Sequence, residues 1–263
     1  MLDYCLHQKR ENKRKGMKLE EISINKSNLV DLGISTNKNI IVPEYINDKK
    51  WNILWHIIGI DDNAFEEDKT LESIVLPSSI KTIGAKAFCD CKNLKTINIP
   101  KKLERIGEAA FERCLSLKKI IFPQDMEKIG NRIFVNCYSL ETVVLPENCP
   151  CIGYSVFSWC PNLKNIKMPK ITNNLDVEFI SNCEYLESVI LPEEVGTIYD
   201  DAIHNCDRLE EIILPNKITK IENCAINNCQ SLKVIKYQGD EYRNKSKFNE
   251  FMKEKFNKSA VWR

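Results

Sequence analysis

Twelve cysteines in 263 residues are the first candidates for chemistry, because thiols can bridge, hold a metal or act as nucleophiles. Seven of them, Cys91, Cys114, Cys137, Cys160, Cys183, Cys206 and Cys229, recur at an interval of 23. So regular a column suits small apolar packing groups better than reactive ones. Equivalent side chains in a stack point the same way. Neighbouring thiols would therefore not face each other, even with Cα atoms within the roughly 4.4–6.8 Å that a bridge needs. Free, buried thiols are expected. Two close pairs, Cys89/Cys91 and Cys149/Cys151, remain for zinc. Structural zinc takes four ligands, often from C-x₂₋₄-C pairs, and each C-x-C pair here would need two more from elsewhere. No metal and no cofactor is expected.

The three histidines, His7, His56 and His204, are isolated and suggest no pairing of nucleophile and base. The sequence holds no GxGxxG, phosphate-loop, HExxH or GxSxG pattern. It therefore indicates no catalytic residue, and no small-molecule substrate is expected.

The elements that would position these residues come from a repeat. Leu71-Glu-Ser-Ile-Val-Leu-Pro77 returns from Leu94, Leu117, Leu140, Leu163, Leu186 and Leu209, with a worn copy from Leu232, always 23 residues on. Prolines from Pro77 to Pro215 end each strand pattern, since proline has no N–H for a ladder. Ile-Gly pairs follow at Gly84, Gly107, Gly130 and Gly153, where glycine suits special turn angles. Apolar-Phe pairs come next at Phe88, Phe111, Phe134 and Phe157. Such units cannot bury a core alone and must stack. Strands about 4.8 Å apart would give a sheet of roughly 34 Å.

The period, the LPxxIxxIGxxAFxxC phrasing and the cysteine column resemble the BspA-like leucine-rich repeats, from about Ile60 to Tyr237. The resemblance implies a β-rich α/β solenoid. It would be a right-handed leucine-rich-repeat coil with a parallel sheet on the concave face and short helical or irregular returns on the convex face. Two departures stand out: the fifth coil, KITNNLDVEFISNC, lacks the glycine turn, and no secretory signal is readable. Exported members of the family carry such a signal.

The expected organisation is a basic leader at 1–18, degenerate repeats and a cap at 19–59, the solenoid at 60–238 and a capping helix at 239–263. Met17 is an alternative start. Trp51, Leu54, Trp55 and Ile58 fall at i, i+3, i+4, i+7 with Asp48 and Gly59 as bounds, which reads as a capping helix, with an aromatic ligand box as the sharper reading. Phe248, Phe251, Met252 and Phe256 fit another helix after Ser246.

Within each strand the first, fourth and sixth residues should face inward, leaving the third and fifth on the concave face. The fifth column reads Val75, Asn98, Ile121, Val144, Lys167, Ile190, Ile213 and Lys236. The third includes Thr96, Lys119 and Thr142, and the second is always charged. An apolar stripe with a charged rim resembles a protein contact surface; β-branched residues also simply suit strands. Trp159 stands where other coils carry Asp, Arg or Asn. It reads either as a contact anchor or as cover for the fifth coil.

A formal net charge of +1, 43% apolar and 29% charged residues describe an ordinary folded protein, not one that wraps nucleic acid. No apolar run reaches the roughly 18–20 residues that span a bilayer. The expectation is a monomeric, cytoplasmic, non-catalytic scaffold for a protein partner. The alternatives are a surface or secreted adhesin and a subunit of an enzyme or nucleic-acid-binding complex.

Overall fold

The computed structural model describes residues 18–263 except 32, 35, 50, 171, 173 and 259. The leader read at 1–18 lies outside the described residues apart from Lys18.

Each repeat makes one coil, and equivalent stretches of successive coils pair in parallel, 23 residues out of register. A first ladder runs through the leucine strands, for example Thr142↔Lys119 and Thr142↔Asn165. A second runs through Thr82–Ile83, Arg105–Ile106, Lys128–Ile129 and Cys151–Ile152. A third joins Phe157–Ser158, Ile180–Ser181, Ile203–His204 and Ile226–Asn227. The returns are turns in the earlier coils and two-residue strands in the later ones, so β-structure dominates.

Between the ladders lies one continuous apolar core. The repeat leucines from Leu71 to Leu209 are fully buried. Phe65, Phe88, Phe111, Phe134 and Phe157 stack nearly parallel, with ring centroids 5.3–5.9 Å apart. The fifth coil reverses the small-then-large order: Phe179 takes the preceding position, and Ile180 pairs with Phe157. Phe179 meets Phe157 edge-on rather than in the stack.

Glycine serves this coil differently from the sequence-based expectation. None of Gly84, Gly107, Gly130 and Gly153 has positive φ; a Cβ on Gly107 would instead lie 2.3 Å from the backbone nitrogen of Ala85. Close approach between coils is what requires glycine there. The left-handed angles fall on two other columns in every coil, one from Asn63 to Cys224 and one from Glu67 to Asn228. The second column is rich in Asp and Asn, which tolerate that region best.

The helix expected from Trp51, Leu54, Trp55 and Ile58 is instead a strand, Ile53–Ile60. It pairs in parallel with Lys18–Ile24 and antiparallel with Tyr45–Asp48. Buried Trp55, Ile57 and Gly59 alternate with half-buried neighbours, and a β-branched, aromatic run favours that pattern. Gly59 does not end an element; Gly59–Ile60 opens the second ladder against Thr82–Ile83. The aromatic box is not formed, since Trp55 is buried while Trp51 is exposed in a turn.

A helix spans Lys245–Phe256, begun by the Asn244 side chain accepting from the Lys247 amide and closed by left-handed Asn257. It buries Phe248 and Met252. The chain then returns to the third ladder, where the Ile226 amide donates to the Val261 carbonyl at 2.9 Å.

Candidate binding face

The first ladder does not form the single sheet expected from the repeat. It is three sheets: Asn39–Ile41, Ser73–Val75 and Thr96–Ile97; Lys119–Ile121, Thr142–Val144 and Asn165–Lys167; and Ser188–Ile190, Glu211–Ile213 and Val234–Tyr237, extended by Asp240–Tyr242. Along the fifth column each sheet has two apolar residues and then a polar one. The triplets are Ile41, Val75, Asn98; Ile121, Val144, Lys167; and Ile190, Ile213, Lys236.

The polar residue of each triplet bonds back to the coil before it. The Asn98 amide nitrogen donates to the Leu76 carbonyl at 2.8 Å, and its oxygen accepts the Leu76 amide at 2.7 Å. Lys167 meets Glu147 at 2.9 Å, and Lys236 pairs with Glu211. Beyond Asn98 and Lys167, toward the next coil, the ladder parts. In intact junctions the second residue of a coil donates to its equivalent, as Glu141 does to Lys118 and Glu210 to Glu187. The sixth donates to the next coil's fifth, as Phe122 does to Val144. Among the described residues neither bond forms from Lys118 to Lys95 or from Ile99 to Ile121, nor from Glu187 to Lys164 or from Met168 to Ile190.

A cleft opens at each break. The first, about 960 Å³, is lined by Thr96, Asn98, Lys119 and Ile121 among others; the second, about 750 Å³, by Thr142, Val144, Lys167 and Ile190 among others. Inward-facing residues before each break, Ile97 and Ile99 and then Ile166 and Met168, are only half-buried where their column mates are buried.

On the outer face Val75 is 49% exposed, Ile121 50% and Ile190 63%. Val144 and Ile213 are half-buried. Ile41, at 71%, is the most exposed, and the sequence reading passed over it. The signal was present: NIIVP, aligned on its proline, puts Ile41 in the fifth column. Parts of the rim are ion-paired, at Glu72, Glu147 and Glu210. Hydrogen bonds from Lys38 and Lys95 hold the Glu72 carboxyl down at about 2, and those from Lys170 and Lys167 do the same for Glu147.

The family described as BspA type leucine-rich repeat region matches in six copies, over residues 58–187 and 152–259. The chain belongs to the BspA-type leucine-rich repeat family. This BspA-type chain is similar to the leucine-rich repeat protein of T. pallidum at 28% identity and a TM-score of 0.53, over 75% of this chain and 79% of that one. It is also similar to a leucine-rich repeat protein from Eubacterium ventriosum ATCC 27560 at 25% identity and a TM-score of 0.55, over 78% of this chain and 63% of that one. No curated protein matches it in sequence.

In this BspA-type coil the cysteine column packs between turns. Cys91, Cys114, Cys137 and Cys160 each donate to the carbonyl of a phenylalanine in the preceding coil, at 3.0–3.2 Å. Burial pushes the Cys91 thiol up to about 12 and those of Cys89 and Cys149 to about 11. They stay protonated at neutral pH and make poor nucleophiles. Among the described residues no three His, Cys, Asp or Glu side chains gather as metal ligands, and no helix is long and apolar enough to cross a membrane.

Trp159 does not join the stripe. It follows the third-ladder strand Phe157–Ser158, donates its amide to Ser181 and is 53% exposed.

Proposed function

We propose that this chain is a non-catalytic scaffold that binds a protein partner across the first-ladder face. Exposed Ile41 and Val75 on adjoining strands, flanked by the ion pairs of Glu72, with exposed Ile121 and Ile190 further along the same column, carry this reading. Burying such residues against a partner is worth about 25 cal/mol per Å² of apolar surface, while the paired rim disfavours mismatched partners. The internal regularity supplies rigid strands and little irregular loop on which to mount a catalytic site.

The test replaces Ile41, Val75 and Ile190 together by serine and compares partner capture from the native lysate and medium. All three are exposed, so thermal unfolding should stay within a few degrees while capture is lost. Equal capture by the triple variant would reject the face. Family membership supports a second setting for the same face, that of a surface adhesin. Protease treatment of intact cells separates the two settings, since only a surface protein is shaved off.

A further inference from the structure

The first cleft has three features, the last of which sets it apart from the second. Its edges are strand edges: Thr96–Ile97 on one side and Lys119–Ile121 on the other, with the ladder bonds between them unmade. Its floor is apolar, because Ile97 and Ile99 are half-uncovered there. Its charge is one-sided. Lys95, Lys101, Lys118 and Lys119 line it against a single carboxylate, Asp125, which already accepts from Asn148 at 2.5 Å. Lys95 is shared with Glu72, but Lys101, Lys118 and Lys119 form no ion pair among the described residues. In the second cleft Lys167 and Lys170 are tied to Glu147, and Glu193 and Glu194 balance the remainder.

We propose that the first cleft takes an extended peptide segment of alternating apolar and acidic side chains, contributed by the protein partner. The segment adds as a strand along Lys119–Ile121. Unpaired strand edges invite such additions, and main-chain bonds then give affinity while alternate side chains give specificity. Here one set of side chains would cover Ile97 and Ile99, and the acidic set would meet Lys118 and Lys119. The proposal rests on the reading of this face as a protein-binding one and names the chemistry of the partner.

The probe is a labelled, end-blocked octapeptide, Ser-Val-Glu-Val-Glu-Val-Glu-Ser, titrated with the intact chain by fluorescence anisotropy. Saturable binding that weakens with salt is expected, with the Val/Lys counterpart at least about tenfold weaker. Lys118→Glu with Lys119→Glu, two exposed changes, should weaken the acidic peptide about tenfold or more. Lys164→Glu at the second cleft should leave it unchanged. A probe with alternate backbone amides N-methylated should bind at least about tenfold more weakly, because it cannot pair as a strand. Failure of the acidic probe to bind, equal binding of the methylated one, or equal loss with Lys164→Glu would overturn the proposal. None of these depends on Ile41, Val75 or Ile190. Loss of capture by the serine variant without peptide binding would sink this inference alone; peptide binding with unaltered capture would sink the wider reading alone.

Discussion

Trp159 holds φ at 60° in a column where the other coils place Glu67, Asp90, Arg113, Asn136, Asn182, Asn205 and Asn228. The left-handed region crowds a Cβ against the following carbonyl at a cost of roughly 1–2 kcal/mol, and Asn offsets part of it with local hydrogen bonds. Here Asn gains more, because the column forms a ladder: Asn228 donates to Asn205 at 2.7 Å and Asn205 to Asn182 at 3.3 Å. Trp159→Asn would carry that ladder toward Asn136. The expected result is a gain of about 0.5–1 kcal/mol, seen as a melting temperature higher by about 1–4 °C. A lower melting temperature would show that the indole packs on its coil and is not a strained exposed group. Because Trp159 lies apart from the stripe, the substitution should leave capture through the first-ladder face unchanged.

The coil-to-coil spacing is set by elements with no room to spare, and the glycine column measures it. On Gly130 a Cβ would lie 2.5 Å from the Gly107 carbonyl carbon, and on Gly107 2.3 Å from the Ala85 nitrogen. Those neighbours are backbone, so they cannot rotate aside. Gly107→Ala should therefore cost about 1–3 kcal/mol by overpacking, measured by urea unfolding. An unchanged midpoint would mean that the coils can part there at little cost. Beyond the fourth coil the column reads Asp176, Tyr199 and Glu222, and the extended returns begin just before that change, at Phe157–Ser158. The same contrast decides what the sequence could disclose. The period of 23 was legible because leucine, proline and cysteine columns repeat it independently. The two breaks were not, because the strands on either side of them have ordinary inward residues. Only Asn98 and Lys167 marked them, and an isolated polar residue in an outward column reads as exposure. The strand Ile53–Ile60 was misread because eight apolar-rich residues fit both periods. Ala64-Phe65, in frame with Ala87-Phe88, was the cue that the coil begins earlier.

At the scale of the whole stack, the first and second ladders are interrupted, but at different junctions. The first parts ahead of Lys118 and of Glu187, where the second continues through Arg105↔Lys128 and Leu175↔Ile198. The second parts between Cys151–Ile152 and Asn174–Leu175, where the first continues through Val143↔Ile166. Every junction thus keeps a hydrogen-bonded seam, and a cleft can open on one side without loosening the column. Coils nevertheless touch only their neighbours, so stability should be local, a sum of coil and interface contributions. The C-terminal end tests this. Trp262 is buried, meets Phe248 edge-on with centroids 6.2 Å apart, and exchanges hydrogen bonds of 2.8 and 2.9 Å with Asn249. It anchors the segment that pairs with Ile226. Trp262→Ala removes a large core side chain, a change worth about 3–5 kcal/mol. In a fully cooperative domain every amide would lose protection alike. In a stack of nearest neighbours, hydrogen exchange should quicken over Lys220–Tyr237 and the helix Lys245–Phe256, and stay unaltered over Ser73–Ile106. Uniform loss would mean that the staggered seams couple the coils into one cooperative body.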